Sequence, residues 1–107
     1  MSLEPVQGTE ANKSRPAIVV SNDAANAVAA RGGVGVVTVV PVTSNVSRVY
    51  PFQVLLRANE GGLDRESKAQ VEQLRAIDIS RFGRRLGVIG AATVRKLDDA
   101  IRLHLAL

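Results

Sequence analysis

A long valine-dominated run, Val34 to Thr43, stands between polar segments. Valine is stiff at χ1 and fits a pleated surface, so this run predicts a strand. Pro16 to Ser21 is a shorter continuous apolar run, bounded by Arg-Pro and Asn-Asp, and suits a buried strand. Pro51 to Leu56 predicts another, with the proline at its first residue, where a missing N–H is tolerated. Lys68 to Ile77 alternates without a cleanly apolar face. It predicts one strand whose polar side chains, Glu72, Gln73 and Arg75, project towards a site or an interface. Arg84 to Ile89 predicts a final short strand. Val94, Leu97, Ile101 and Leu105 then fall on one stripe of a helix, with Gly90 as its N-cap. Asp98 and Arg102 form an i,i+4 pair on its flank.

Between these elements, Leu3 to Ser14 is polar and reads as a loop. Ala24 to Ala30 is alanine-rich and suits a short helical turn. Arg31-Gly32-Gly33 and Asn59-Glu60-Gly61-Gly62 read as turns. The strands come in succession, without a helix after each. The expected fold is therefore mostly β, a small barrel or curled antiparallel sheet with one C-terminal helix packed on it. The other side of that helix, with Leu103 and Leu107, leaves room for a dimer contact.

Length and composition narrow the picture. A chain of 107 residues is expected to form one domain, 1–107. Its three aromatics are Tyr50, Phe52 and Phe82, so the core must be aliphatic. There is no apolar run long enough to span a membrane. Met1-Ser2-Leu3-Glu4-Pro5 lacks the pattern of a signal peptide, and a cytoplasmic location is expected. Without cysteine a thiolate metal site is excluded, and a single histidine, His104, makes a histidine-based one improbable. The net charge is +4, and arginine supplies eleven of the fourteen cationic residues. That balance favours bidentate recognition of phosphate or carboxylate, hence nucleic acid or an acidic peptide as partner.

The two clearest strands share a grammar. Arg15 precedes the first, and Thr43 and Ser44 close the second. A permanent cation and a hydroxyl donor on a stiff frame are what a phosphate-handling site needs.

These residues carry a family resemblance that spans the chain in one order. Pro5-Val6-Gln7-Gly8-Thr9-Glu10, Ser14-Arg15-Pro16, Val42-Thr43-Ser44-Asn45, and Gly62-Leu63-Asp64-Arg65-Glu66-Ser67 through Glu72-Gln73-Leu74-Arg75-Ala76-Ile77-Asp78 resemble the MazF/PemK family. These are toxins of toxin–antitoxin modules, and the likeness is greatest to the mycobacterial type. The resemblance implies a Src-homology-3-like (CcdB-like) barrel, a homodimer, and a metal-independent endoribonuclease with no cofactor. It implies cleavage of single-stranded RNA at short motifs, leaving a 2′,3′-cyclic phosphate and a 5′-hydroxyl. It places catalysis on Arg15 and Thr43, and RNA contacts on Thr9, Glu10, Ser44, Asn45, Glu72 and Gln73. A cognate antitoxin with an acidic C-terminal segment is the implied protein partner. Family members usually open with a strand of the type Arg-Gly-Glu-Ile-Trp-hydrophobic-Val-Asp before the Glu-Pro segment. Here Glu-Pro stands at positions 4 and 5, so that strand is expected to be missing and its neighbour left as an edge.

Cyclic-phosphate chemistry needs a base for the 2′-hydroxyl, an acid for the leaving 5′-oxygen and a stabiliser of charge on phosphorus. One histidine rules out a histidine pair. Arg15 suits stabilisation and proton donation, whereas a guanidinium stays protonated and makes a poor base. Glu10 is a candidate base. Tyr50 or Phe52 could stack a nucleobase, with core packing the alternative, above all for Phe52. The competing function is a non-catalytic CcdB-like barrel that binds a protein target, or an inactive truncated relative. A protein poison would need neither Arg15 nor Thr43.

Overall fold

The computed structural model describes residues 4–10, 13–21, 31, 32 and 35–107, and for 4–10, 13 and 14 the backbone alone. The described strands are β1 (Glu4–Glu10), β2 (Lys13–Val19), β3 (Val36–Thr43), β4 (Gln53–Leu56), β5 (Ser67–Gln70), β6 (Arg75–Asp78) and β7 (Phe82–Arg85). A helix, α1 (Ala91–Leu105), closes the chain. Short 3-10 turns lie at Glu60–Gly62, Val71–Gln73 and Ile79–Arg81. The architecture is the expected mostly-β sheet with a C-terminal helix.

β3 organises the sheet. One edge pairs with β2, through Ala17 with Pro41, Ile18 with Val40 and Val19 with Val39. The other edge is divided. Val36 to Val39 pair with β6, and Val42 and Thr43 pair with β5. Pro41 stands between those partners, where an N–H it lacks is not needed by either ladder. The whole path runs β4-β5-β3-β2-β1-β7, with β6 attached to β3. Among the described residues all the pairings are antiparallel, and the sheet does not close into a barrel.

Three expectations need correcting. The segment predicted as a loop, Leu3 to Ser14, contains β1 and the start of β2, paired from Glu4 with Val19 to Glu10 with Lys13. The β1 backbone also pairs with β7, across a register shift between Val6 and Gly8, so β1 is not left as an edge. Its sequence, EPVQGTE, has no apolar alternation to announce a strand, and its neighbours' hydrogen bonds hold it. Second, the single strand predicted over Lys68 to Ile77 is broken by the Val71–Gln73 turn, because its halves pair with different stretches of β3. Third, the last strand is Phe82–Arg85 rather than Arg84 to Ile89. Pro51 and Phe52 form a turn before β4. Arg31 and Gly32 are helical, and the predicted helical turn at 24–30 lies outside the described residues.

Strand alternation separates two apolar faces. On one, Ile18, Val20, Val40 and Val42 join Val54, Leu56, Leu63, Ala69, Val71 and Ile89, and α1 packs there through Leu97 and Ala100. On the other, Ala17, Val19, Val37, Val39 and Ile77 form a smaller cluster flanked by Ile79 and Phe82. β2 and β3 are thus apolar on both faces, which explains their unbroken runs. Gly90 caps α1 as expected, its carbonyl accepting from the Val94 N–H at 3.0 Å. Of the predicted stripe, Leu97 is fully buried, Val94 and Ile101 are half-buried, and Leu105 is exposed beyond the end of the core.

Two contacts tie the 59–63 turn to the segment before α1 and to the first turn of α1 itself. Gly62 has φ +80° and lies so close to the Leu86 carbonyl that a Cβ would sit 2.0 Å from its oxygen. Only glycine fits there. The Thr93 hydroxyl donates to the Glu60 carboxylate, bringing a negative charge to the first turn of the helix. Among the described residues no helix is long and apolar enough to cross a membrane.

Leu97→Ala should cost about 2–5 kcal/mol in equilibrium unfolding, because it opens a cavity where the helix meets the sheet. A loss below ~1 kcal/mol would show that the site collapses to fill it. The Asp78 carboxylate accepts from the Ser80 N–H at 2.9 Å and starts the Ile79–Arg81 turn. That backbone bond, then the Ser80 side chain, hold its pKa below 3.8 against the opposing effect of desolvation, and the Arg81 charge adds a lesser lowering. A depressed folded pKa means the contribution to stability is complete above 3.8 and is lost as pH falls through the lower folded value. A carboxyl NMR titration of Asp78 should give a midpoint under 3.8. A midpoint above it would contradict the cap.

Candidate active site

Arg15 lies on β2, and its side chain is exposed. Thr43 is the last residue of β3 and is half-buried. The ladder between these strands ends with Ala17 opposite Pro41. Carrying that register two residues further sets Arg15 opposite Thr43. The alternation puts both on the face of Ala17, Val19, Val37 and Val39, opposite the helix. Arg15 and Thr43 thus share one sheet face, beyond the last β2–β3 pair of a register that the core dictates.

The Thr43 hydroxyl oxygen accepts from the Asn45 N–H at 3.2 Å. That bond fixes the oxygen and leaves the hydroxyl proton free to be donated, which is what an incoming phosphate oxygen requires. Ser44 is exposed at the bend after Thr43. Asn45 is exposed, and its side-chain oxygen accepts from the Ser47 N–H at 3.2 Å and the Ser47 hydroxyl at 2.9 Å. This is a side-chain-closed turn.

The first-loop positions, Thr9 and Glu10, fall on β1, where the backbone pairs Gly8 with Arg15, Thr9 with Ser14 and Glu10 with Lys13. Their backbone therefore runs beside Arg15 on the neighbouring strand. Their side chains lie outside the described residues.

Glu72 and Gln73 occupy the Val71–Gln73 turn, and they differ. Gln73 is exposed. Glu72 is half-buried, and its Oε2 accepts from Gln53 Nε2 at 2.8 Å. Its Oε1 is buried without a hydrogen-bond partner. An unpartnered buried carboxylate oxygen carries a desolvation cost, here on the carboxylate that holds the buried Gln53.

Sequence reasoning passed over Gln53 and left Lys68 without a role. Lys68 pairs with Thr43 across the ladder. It is 8% exposed, and its ammonium donates to the Arg48 carbonyl at 2.6 Å. Lys68 stands where a neutral residue is common in the family and had no account from the sequence, and the pairing with Thr43 places it. Tyr50 and Phe52 stack at 5.3 Å and 2°. Arg48 reaches the Tyr50 hydroxyl at 3.1 Å and lies 5.5 Å from its ring. Phe52 also meets His104 on α1 at 6.3 Å. Phe52 is half-buried, and Tyr50 keeps 41% of its surface exposed.

A cavity of about 200 Å³ opens by Pro16, Gly62, Leu63, Asp64, Arg84 and Leu86. Pro16 alternates with Arg15, so this cavity belongs to the helix-side face and not to the Arg15–Thr43 site.

A family model for the PemK-like, MazF-like toxin of type II toxin–antitoxin systems matches residues 1–105. The chain belongs to this family. It is 56% identical over all 107 of its residues, and 91% of the other chain, to a Mycobacterium tuberculosis (strain ATCC 25618 / H37Rv) protein named endoribonuclease MazF9. A mycobacterial endoribonuclease solved in complex with its cognate antitoxin superposes with a TM-score of 0.82 at 22% identity, over 97% of this chain and 92% of that one. The M. tuberculosis toxin MazF-mt6 gives 0.78 at 25% identity, over 96% and 97%. The fold is that of the MazF toxins, with the sheet open.

Proposed function

We propose that this chain is the toxin of a toxin–antitoxin module and a sequence-specific endoribonuclease that cleaves single-stranded RNA without a metal ion. The observation that supports the reading is the β2–β3 register, which runs to Ala17 opposite Pro41 and whose extension would align Arg15 with Thr43 on one sheet face. The full-length identity with a protein named endoribonuclease supports it.

In this reading the RNA 2′-oxygen attacks the adjacent phosphorus, and the bond from phosphorus to the 5′-oxygen breaks. A 2′,3′-cyclic phosphate and a 5′-hydroxyl result. Charge builds on the non-bridging oxygens. The Arg15 guanidinium presents paired donors to one of them, and the Thr43 hydroxyl donates to another. Arg15 also donates to the leaving oxygen as it departs, and the proton taken from the 2′-hydroxyl makes good the one it gives up. Glu10, on the strand beside Arg15, is the proposed base for the 2′-hydroxyl. Thr9, Ser44, Asn45, Glu72 and Gln73 are the proposed RNA contacts. Gln73 offers an amide to a base edge, while Glu72 reaches the RNA through the residues it holds.

The proposed assembly is a homodimer in the cytoplasm. Leu103 and Leu107 on the outer side and end of α1 are 59% and 84% exposed and offer apolar surface for contact. The proposed protein partner is a cognate antitoxin with an acidic C-terminal segment, as befits a chain of net charge +4 carried largely by arginine. An extended acidic chain would lie along the Arg15 groove and exclude RNA.

Arg15→Ala and Thr43→Ala should each lower cleavage about 10²–10³-fold while leaving the unfolding curve in place, since each removes a preorganised donor and little core. EDTA should change nothing, and a 2′-deoxy nucleotide at the scissile position should abolish cleavage while sparing binding. Near-normal cleavage by Arg15→Ala, or a strict Mg²⁺ requirement, would sink the mechanism.

The antitoxin's acidic C-terminal peptide should displace a fluorescent, 2′-deoxy-blocked RNA from the wild-type protein. It should bind less tightly to Arg15→Glu. Simultaneous binding of peptide and RNA with no loss of affinity would rule out a shared groove.

A further inference from the structure

The loop between β3 and β4, residues 44–52, contains Ser44 and Asn45 and begins at Thr43. It contains no strand or helix. Two buried polar side chains beneath it nevertheless grip its backbone. Lys68, 8% exposed, donates from Nζ to the Arg48 carbonyl at 2.6 Å. Gln53, 7% exposed, accepts the Tyr50 N–H on Oε1 at 3.1 Å. The Gln53 amide is itself oriented by Glu72, which accepts from its Nε2 at 2.8 Å. Lys68 and Gln53 both stand on the short β4–β5 ladder, where Lys68 faces Leu55 and Gln53 faces Gln70. The same Lys68 is the cross-strand partner of Thr43.

A buried ammonium loses much of its hydration, and a single carbonyl restores only part of it. Stability alone would favour an apolar side chain at position 68. The Gln53–Glu72 pair has the same character, since it leaves Glu72 Oε1 buried and unpartnered. Both devices end on backbone atoms of one loop. That convergence is what a requirement for loop position predicts, and what core packing does not.

We propose that Lys68 and the Gln53–Glu72 pair are positioning residues that clamp the 44–52 loop at Arg48 and Tyr50, and thereby hold Ser44 and Asn45 in place for single-stranded RNA. The inference rests on the endoribonuclease reading above. Lys68 acts through the Arg48 carbonyl and does not touch the reacting atoms. Its loss leaves Arg15 and Thr43 on their strands, so it weakens substrate binding more than the chemical step.

The test compares Lys68→Met, Lys68→Arg and Gln53→Leu with wild type, each checked by thermal unfolding. KM and kcat are measured on a single-stranded RNA that wild type cuts, and amide hydrogen exchange is followed at Asn45, Ser47 and Tyr50. Lys68→Met should raise KM about tenfold, the scale of one lost charge-assisted hydrogen bond, with kcat within about threefold. Lys68→Arg keeps a cationic donor and should recover most of that loss. Exchange at the loop amides should rise in Lys68→Met while the melting temperature holds. If Lys68→Met fails to fold, Gln53→Leu carries the same expectation. A folded variant with KM within twofold of wild type, or with kcat collapsed at unchanged KM, overturns the clamp. Failure of the nuclease reading looks different: wild type leaves the RNA intact, while loop exchange still rises in Lys68→Met.

Discussion

β3 is hydrogen-bonded on both edges and apolar on both faces, and three other strands take their positions from it. Val39 and Val40 point to opposite faces, and both are fully buried. A one-residue slip of β2 against β3 would exchange the two faces of β2, moving Ile18 out of the main core and Ala17 into it. The register is therefore strongly determined, and its extension past Ala17 and Pro41 would set Arg15 across from Thr43. The proposed site would inherit its precision from aliphatic packing several residues away. Neither polar residue has to supply energy to reach its place.

The same strand explains where the loop starts. Beyond Pro41 the β2 ladder ends and β5 takes over the other edge, so Thr43 is held by Lys68's strand. The chain then leaves the sheet through Ser44. Backbone groups without a ladder need other partners, and here buried side chains supply some of them. Lys68 and Gln53 do for Arg48 and Tyr50 what a strand would otherwise have done, while leaving the loop's outer surface open. The Tyr50–Phe52 stack and the contact of Phe52 with His104 extend this support to α1.

What was legible in the sequence follows from the range of the forces involved. β2, β3 and α1 were readable because burial imprints a local pattern: unbroken valine and isoleucine in the strands, a helical stripe after Gly90 in the helix. β1 was not, because EPVQGTE is held by pairing with two strands and its own composition says loop. The break at Val71–Gln73 was hidden for a related reason. Polar–apolar alternation continues across it, and only the long-range fact that β5 and β6 meet different parts of β3 forces a turn. For the proposed site, Arg15 and Thr43 were visible as residues of the right chemistry beside apolar runs, although Arg15 is the third residue of β2 and not, as expected, the residue before the strand. Their alignment was not visible, since it depends on a register between distant segments. Lys68 and Gln53 were the least legible, because a buried lysine and a solvated one look the same in a sequence.

The chemistry open to such a site is narrow. A guanidinium and a hydroxyl can stabilise charge and share protons, but neither is a good base near neutrality. Enzymes with two histidines can draw on tuned proton transfer for part of their rate. The site proposed on Arg15 and Thr43 would have to draw more from fixed donors aimed at the phosphate and from the alignment of the 2′-oxygen with its leaving group. Both terms depend steeply on position, since an in-line geometry is lost with a displacement of about an ångström. On the proposed mechanism, a stiff pair of strands beneath the donors and two buried polar side chains spent on the adjoining loop would be the structural expression of that dependence. They would place rigidity where this chemistry needs it, at the cost of burying an ammonium and a carboxylate oxygen that a purely structural core would have left out.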